Sequence, residues 1–235
     1  MLSTYLPYIL GGVLLTLKLS FFSLILTIVA GFVFGLGRMS VNRLVRWATT
    51  IIVEIFRGTS AVVQLFWAFY VLPFFGVELS PIVAAVLVLG LNEGSYFSEV
   101  VRGAIVGVPK SQYESAVVLG FSPLTRFVRV LLPQALVLMI PPGTNMMISL
   151  VKFSSLASLV TLPDLTFRAL TVRSNIGETT LIFSLILSLY FVISMVIAMT
   201  MGHVESRVAT HLGIKNVISP ERRSSLWIGF RRKVS

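Results

Sequence analysis

The chain has 235 residues, of which 56% are hydrophobic and 12% charged, with a formal net charge of +10 and a mean hydropathy of +0.93. Soluble domains carry about 25% charged residues, so this balance excludes an ordinary soluble domain. There is no cysteine, which excludes disulfides, thiol nucleophiles and cysteine-bound metals.

Apolar runs recur along most of the chain, each near the roughly 20 residues that a helix needs to cross the hydrocarbon core. The alternating segments of about ten residues that mark a transmembrane β-barrel are absent. An all-helical, polytopic bundle of about five spans is expected. The basic residues lie between the apolar runs and in the tail, so anionic headgroups account for them and nucleic acid is not expected as a partner.

In chain order, MLSTYLPYIL lacks the basic stretch of a signal peptide and leads into a first span at about 10–37, expected to be retained. Lys18 can extend outward from it, and Gly31 with Gly35 forms a small-residue pair suited to close helix contact. Arg38, Arg43 and Arg46 follow. The second span, at about 48–72, carries Glu54 and Arg57 three apart on one helical face. Either they neutralise each other and fix packing, or Arg57 offers its bidentate fork to a solute carboxylate, with Thr59 beside it. Phe66, Trp67, Phe69 and Tyr70 read as lipid or core packing.

The third span, at about 80–107, contains Asn92-Glu93-Gly94 and ends with Glu99 and Arg102, which have the spacing of an ion pair. The fourth, at about 133–160, contains Pro141-Pro142-Gly143, with Asn145, Ser149 and Lys152 beyond it. Both triplets read as interruptions, and freed backbone groups are tolerated in a membrane only where they are buried in protein or line a watery cavity. They are therefore expected to mark a solute path through Arg57, Thr59, Asn92, Glu93, Asn145, Ser149 and Lys152. Glu93 either attracts a cationic amine or amidinium or pairs with Lys152. A fifth span follows at about 178–203; His203 and His211 stand alone, so no metal site is expected. The basic connections and the tail, with Arg222, Arg223, Arg231, Arg232 and Lys233, read as cytoplasmic, which puts the N-terminus outside.

The connection ESAVVLGFSPLTRFVRVLLPQA, from Glu114 to Ala135, is amphipathic. Gly120 supplies a helix stop, Ser122 and Pro123 suit the cap and first position of a second helix, and Pro133 marks re-entry into the membrane. The expected shape is two short helices at the membrane face, either gripped by a soluble partner or lying on the surface as a connector. No GxxxxGK[ST] phosphate loop occurs, so hydrolysis of ATP would need another chain.

Glu114, Ser115, Ala116, Gly120, Val130, Leu132 and Pro133 stand at the spacings of the signature loop of binding-protein-dependent ABC importer permeases: EAA, three residues, Gly, nine residues, Ile, one residue, Leu-Pro. The chain resembles that family, with Ser for Ala and Val for Ile. The resemblance implies a transmembrane domain over 1–215 with a coupling loop at about 108–133, a basic cytoplasmic tail over 216–235, and residence in a bacterial inner membrane. It implies that Glu114, Ala116, Gly120, Phe121 and Pro133 couple the spans to an ATPase dimer, that ATP is bound by that partner, and that the permease has no cofactor of its own. A second permease, identical or related, and an extracytoplasmic solute-binding protein are implied as further partners.

The phrases TLKLS, VEIFRGTSAVVQLFWAFYVLP and YFSEVVRGAIVGVP are similar to the polar amino-acid permease family, and FRGTS, VQLFW and GVELSP to permeases of ectoine and hydroxyectoine importers. The departures are Ser60 where the family's RGTP motif has proline, Glu93 where members carry a small or neutral residue, and Phe153 where α-amino-acid permeases often have aspartate. A secondary transporter or channel is the alternative, since interrupted spans and intramembrane charges serve it equally well. A membrane enzyme is disfavoured by the absence of an HExxH motif or a serine elbow.

Overall fold

The structure, a computed structural model, describes residues 2–211 and the side chains of residues 5–208; the basic tail expected over 216–235 lies outside the described residues. Eight helices and no strand occur among them: α1 (Leu2–Arg38), α2 (Arg43–Gly58), α3 (Ala61–Phe75), α4 (Pro81–Gly107), α5 (Lys110–Val118), α6 (Pro123–Val160), α7 (Leu165–Ile176) and α8 (Thr179–His211). The expected all-helical bundle is what the chain forms. α1, α4, α6 and α8 are each long and apolar enough to cross a membrane, and α2 with α3 passes the same test only as a pair, bent by 101° at the break.

α1 packs on α4 more extensively than any other pair of elements. The two run parallel: Leu26 lies against Gly90, Ala30 against Gly94, Phe97 against Gly31, and the Ser98 carbonyl against Gly35. A Cβ at Gly94 would lie 2.7 Å from that of Ala30, and one at Gly35 2.9 Å from the Ser98 oxygen. Where lipid removes any hydrophobic drive between helices, such close approach of small residues is what associates them. Thr27 Oγ1 adds a bond to the Gly90 carbonyl at 3.2 Å. The Gly31 and Gly35 pair thus meets a second one, Gly90 and Gly94, on the facing helix.

One apolar cluster, with Leu19, Leu65, Leu89, Leu150 and Val160, joins α1, α3, α4 and α6. Another, with Ile9, Leu165, Ala169, Val172 and Ile182, joins α1, α7 and α8. α7 occupies the stretch between the expected fourth and fifth spans. Its start is set by Asp164, whose Oδ1 accepts from the Phe167 N–H at 2.8 Å, and its end by Gly177 at φ +80°. Burial pushes the Asp164 carboxyl up to about 6, against the backbone hydrogen bonds that lower it.

Both expected interruptions are corrected. α4 runs unbroken through Asn92-Glu93-Gly94, because Gly94 is there for its contact with Ala30. α6 runs helical through Pro141 and Pro142, as membrane helices buried in protein can. The break falls instead at Thr59-Ser60, in the stretch expected as the second span.

Candidate functional site

The break ends α2 at Gly58 and restarts the helix at Ala61. Carbonyls of the last turn of α2 then lack helical partners, and in a membrane something other than water must meet them. Gln64 and Asn92 do so: Gln64 Nε2 and Asn92 Nδ2 each donate to the Phe56 carbonyl at 2.9 Å, and Gln64 Nε2 also reaches Thr59 Oγ1 at 2.7 Å. Thr59 Oγ1 donates in turn to the Ile55 carbonyl at 2.7 Å, and Asn92 bonds Gln64 Oε1 at 3.2 Å. Gln64 of α3 and Asn92 of α4 therefore brace the bend together.

A cleft of about 620 Å³ opens at this bend, lined by Thr59 to Val62 of the break, Asn92, Glu93 and Tyr96 of α4, and Ser149, Phe153 and Leu156 of α6. Glu93 is 6% exposed. Its carboxylate forms no ion pair or hydrogen bond with any described residue. An unpaired carboxylate in such a place is a functional feature by default, because burial without a partner is costly.

Of the residues expected to line the solute path, the structure brings together Thr59, Asn92, Glu93 and Ser149. Arg57 is outside the cleft. Its Nη1 donates to Glu99 Oε1 at 3.2 Å and lies 3.7 Å from Glu54, while its guanidinium sits 5.4 Å over the Tyr96 ring. Glu99 also accepts from Arg38 Nη1 at 2.7 Å and Arg102 Nε at 3.0 Å, so one carboxylate holds three arginines from three helices. The expected Glu99 and Arg102 pair is present within this larger cluster. Lys152 lines a separate cleft with Ser155, Tyr190 and Ser194, between α6 and α8, and makes no ion pair with Glu93. Asn145 is exposed and away from the Glu93 cleft.

Sequence reasoning did not single out Gln64, Tyr96 or Arg38. Gln64 carried a signal, since a lone amide in an apolar stretch of a span is a polar group that needs a partner. Arg38 and Glu99 are 61 residues apart and carried none.

At the end of the bundle that carries the arginine cluster, α5 and α6 form a knuckle. Gly120, at φ +72°, donates to the Val117 carbonyl at 2.9 Å and Phe121 to the Ala116 carbonyl at 3.1 Å, which closes α5 in a Schellman turn. Ser122 caps α6, and Arg126 clasps Tyr113 across the two helices, through a hydrogen bond of 3.1 Å and stacking at 5.2 Å. Ala116 is buried; Glu114 and Phe121 are exposed, and Pro133 is half-buried. Val118, Leu119 and Leu124 are 88%, 69% and 73% exposed, an apolar tip left uncovered.

The family model described as binding-protein-dependent transport system inner membrane component matches residues 23–210. The chain is similar to the probable amino-acid ABC transporter permease protein y4tF of Sinorhizobium fredii, with 42% identity over 86% of this chain and 87% of that one. It is similar to the L-cystine transport system permease protein TcyB of Bacillus subtilis, with 35% identity over 86% of this chain and 87% of the relative. Among solved structures, a crystal structure of an amino acid ABC transporter with histidines matches with a TM-score of 0.82 and 28% identity, over 88% of this chain and 96% of that one. The MetNI methionine ABC transporter in an inward-facing form shares the fold, with a TM-score of 0.76.

Proposed function

This chain belongs to the family of binding-protein-dependent transport system inner membrane components, and from that we propose that it is the permease of an ATP-driven importer for an amino acid or an amino-acid-like zwitterion. The observation that carries the substrate class is the cleft at the bend, with a buried, unpartnered Glu93 facing polar groups of the break. Such a site favours a solute bearing a cationic nitrogen. The finer reading is uptake of ectoine or hydroxyectoine, cyclic zwitterions without a free α-amine. It is supported by the phrases FRGTS, VQLFW and GVELSP and by Phe153, which lines the cleft where an acid would meet an α-amine.

The drive comes from an ATPase dimer docked on the α5–α6 knuckle, at the cytoplasmic end. A second permease completes the path and an extracytoplasmic binding protein delivers the solute. The uncovered apolar tip at Val118, Leu119 and Leu124 supports that docking.

Two results test this. In proteoliposomes of the assembled importer, Glu93→Gln is expected to lower uptake at least tenfold, the loss of one charge-assisted contact being worth about 1.5–3 kcal/mol. Unchanged uptake by that variant removes Glu93 from the site. Gly120→Val puts a β-branched residue in a left-handed conformation at a cost of about 1–2 kcal/mol and undoes the turn. It is expected to insert normally in the membrane and to lose the ATPase on co-purification. A lone chain that accumulates solute without an ATPase would instead favour a secondary transporter or channel.

A further inference from the structure

The cleft holds a carboxylate on one wall, and its opposite requirement is on the other. The 15-residue helical run α3 begins at Ser60 and Ala61, and its first internal bond is the one from the Gln64 N–H to the Ser60 carbonyl at 3.0 Å. The N–H groups of Ala61, Val62 and Val63 therefore precede the helical ladder. No side chain caps them, the Ser60 hydroxyl included. Nothing among the described residues accepts from the Ser60 N–H. Thr59, Ser60, Ala61 and Val62 all line the cleft that Glu93 lines. A helix start of this kind is a ready site for a negative group.

Arg57 is not among the residues that line this cleft. Arg57 is committed to Glu99 and Glu54, and its Nε is buried without a partner. Resting on the cleft as the solute site, we propose that the zwitterion is bound end to end. Its carboxylate sits on the Ser60 N–H, the Ser60 hydroxyl and the start of α3, and its cationic nitrogen sits on Glu93. Ser60 is then a specificity-determining residue of this permease. Proline in its place lacks both the N–H and the hydroxyl.

The backbone makes this testable. Ser60 sits at φ −69° and ψ 133°, where a proline ring fits, and Thr59 before it is extended at φ −118° and ψ 151°, as a residue preceding proline prefers. Ser60→Pro is therefore compatible with the native bend.

The probes are amino acids paired with their decarboxylated amines, L-arginine with agmatine and L-histidine with histamine, together with ectoine. They are titrated into the purified permease–ATPase complex without binding protein. The wild-type complex is expected to bind a carboxylated member more tightly than its amine. Ser60→Pro is expected to weaken the carboxylated member about tenfold or more and to leave the amine unchanged, with Ser60→Ala intermediate, because it keeps the N–H. Glu93→Gln is expected to weaken both members of a pair. Equal effects of Ser60→Pro on both members, or none on either, overturn the carboxylate site while Glu93 still stands. Insensitivity of both members to Glu93→Gln, or no binding of any probe by wild type, overturns the cleft reading itself.

Discussion

Gly35→Leu is expected to leave little folded protein in detergent, whereas Gly103→Leu leaves it intact. Both positions are helical glycines, one on α1 and one on α4, and they differ in what a side chain would meet. At Gly35 the Cβ alone would stand 2.9 Å from the Ser98 carbonyl oxygen and 3.0 Å from two Val101 carbons; at Gly103 nothing lies within 4 Å. Overpacking costs about 1–3 kcal/mol when side chains can yield, and more where backbone must move. Here a backbone carbonyl on the facing helix must move. The measurement is recovery of a monodisperse peak by fluorescence-detected size exclusion. Equal recovery of the two variants would show that the α1–α4 contact tolerates separation.

Glu99→Gln is expected to lower the thermal midpoint by about 4–8 °C, and Glu54→Gln to leave it nearly unchanged. Breaking a buried ion pair by removing one partner costs about 3–5 kcal/mol, and partial exposure of Glu99 reduces that to about 2 kcal/mol. On the size scaling of soluble domains, each kcal/mol moves the midpoint by about 2–4 °C. The contrast follows from geometry. Glu99 is 29% exposed and within 3.2 Å of three guanidiniums, of which Arg38 is 15% exposed; Glu54 is 58% exposed and no closer than 3.7 Å to any of them. A like shift in both variants would mean that the arginines are held by packing rather than by the carboxylate.

Four spans were readable because each is a long apolar run, and the knuckle because Gly120, Ser122 and Pro123 are local signals with a single backbone meaning. The location of the break was not. Pro141 and Pro142 look like the stronger interruption, yet α6 stays helical through both, as proline is tolerated in membrane helices packed within protein. The milder phrase Gly58-Thr59-Ser60 is where the chain turns, because Gln64 and Asn92 converge there to replace the lost bonds. Asn92 comes from 36 residues away, and no reading of local pattern supplies that. For the same reason Thr59, Asn92, Glu93 and Ser149 could be named as polar residues in spans, while the exclusion of Arg57 and Lys152 from their cleft required the tertiary arrangement.

The glycine seam between α1 and α4 has a mechanical meaning. Helices so tightly interlocked along parallel axes transmit load as a single beam, and only Val108 and Pro109 separate α4 from α5. A tug on the knuckle is thus delivered to both helices at once. The bend at Thr59-Ser60 is tied to that beam by Asn92 and by the Arg57–Glu99 pair, so a displacement of the beam carries the bend with it.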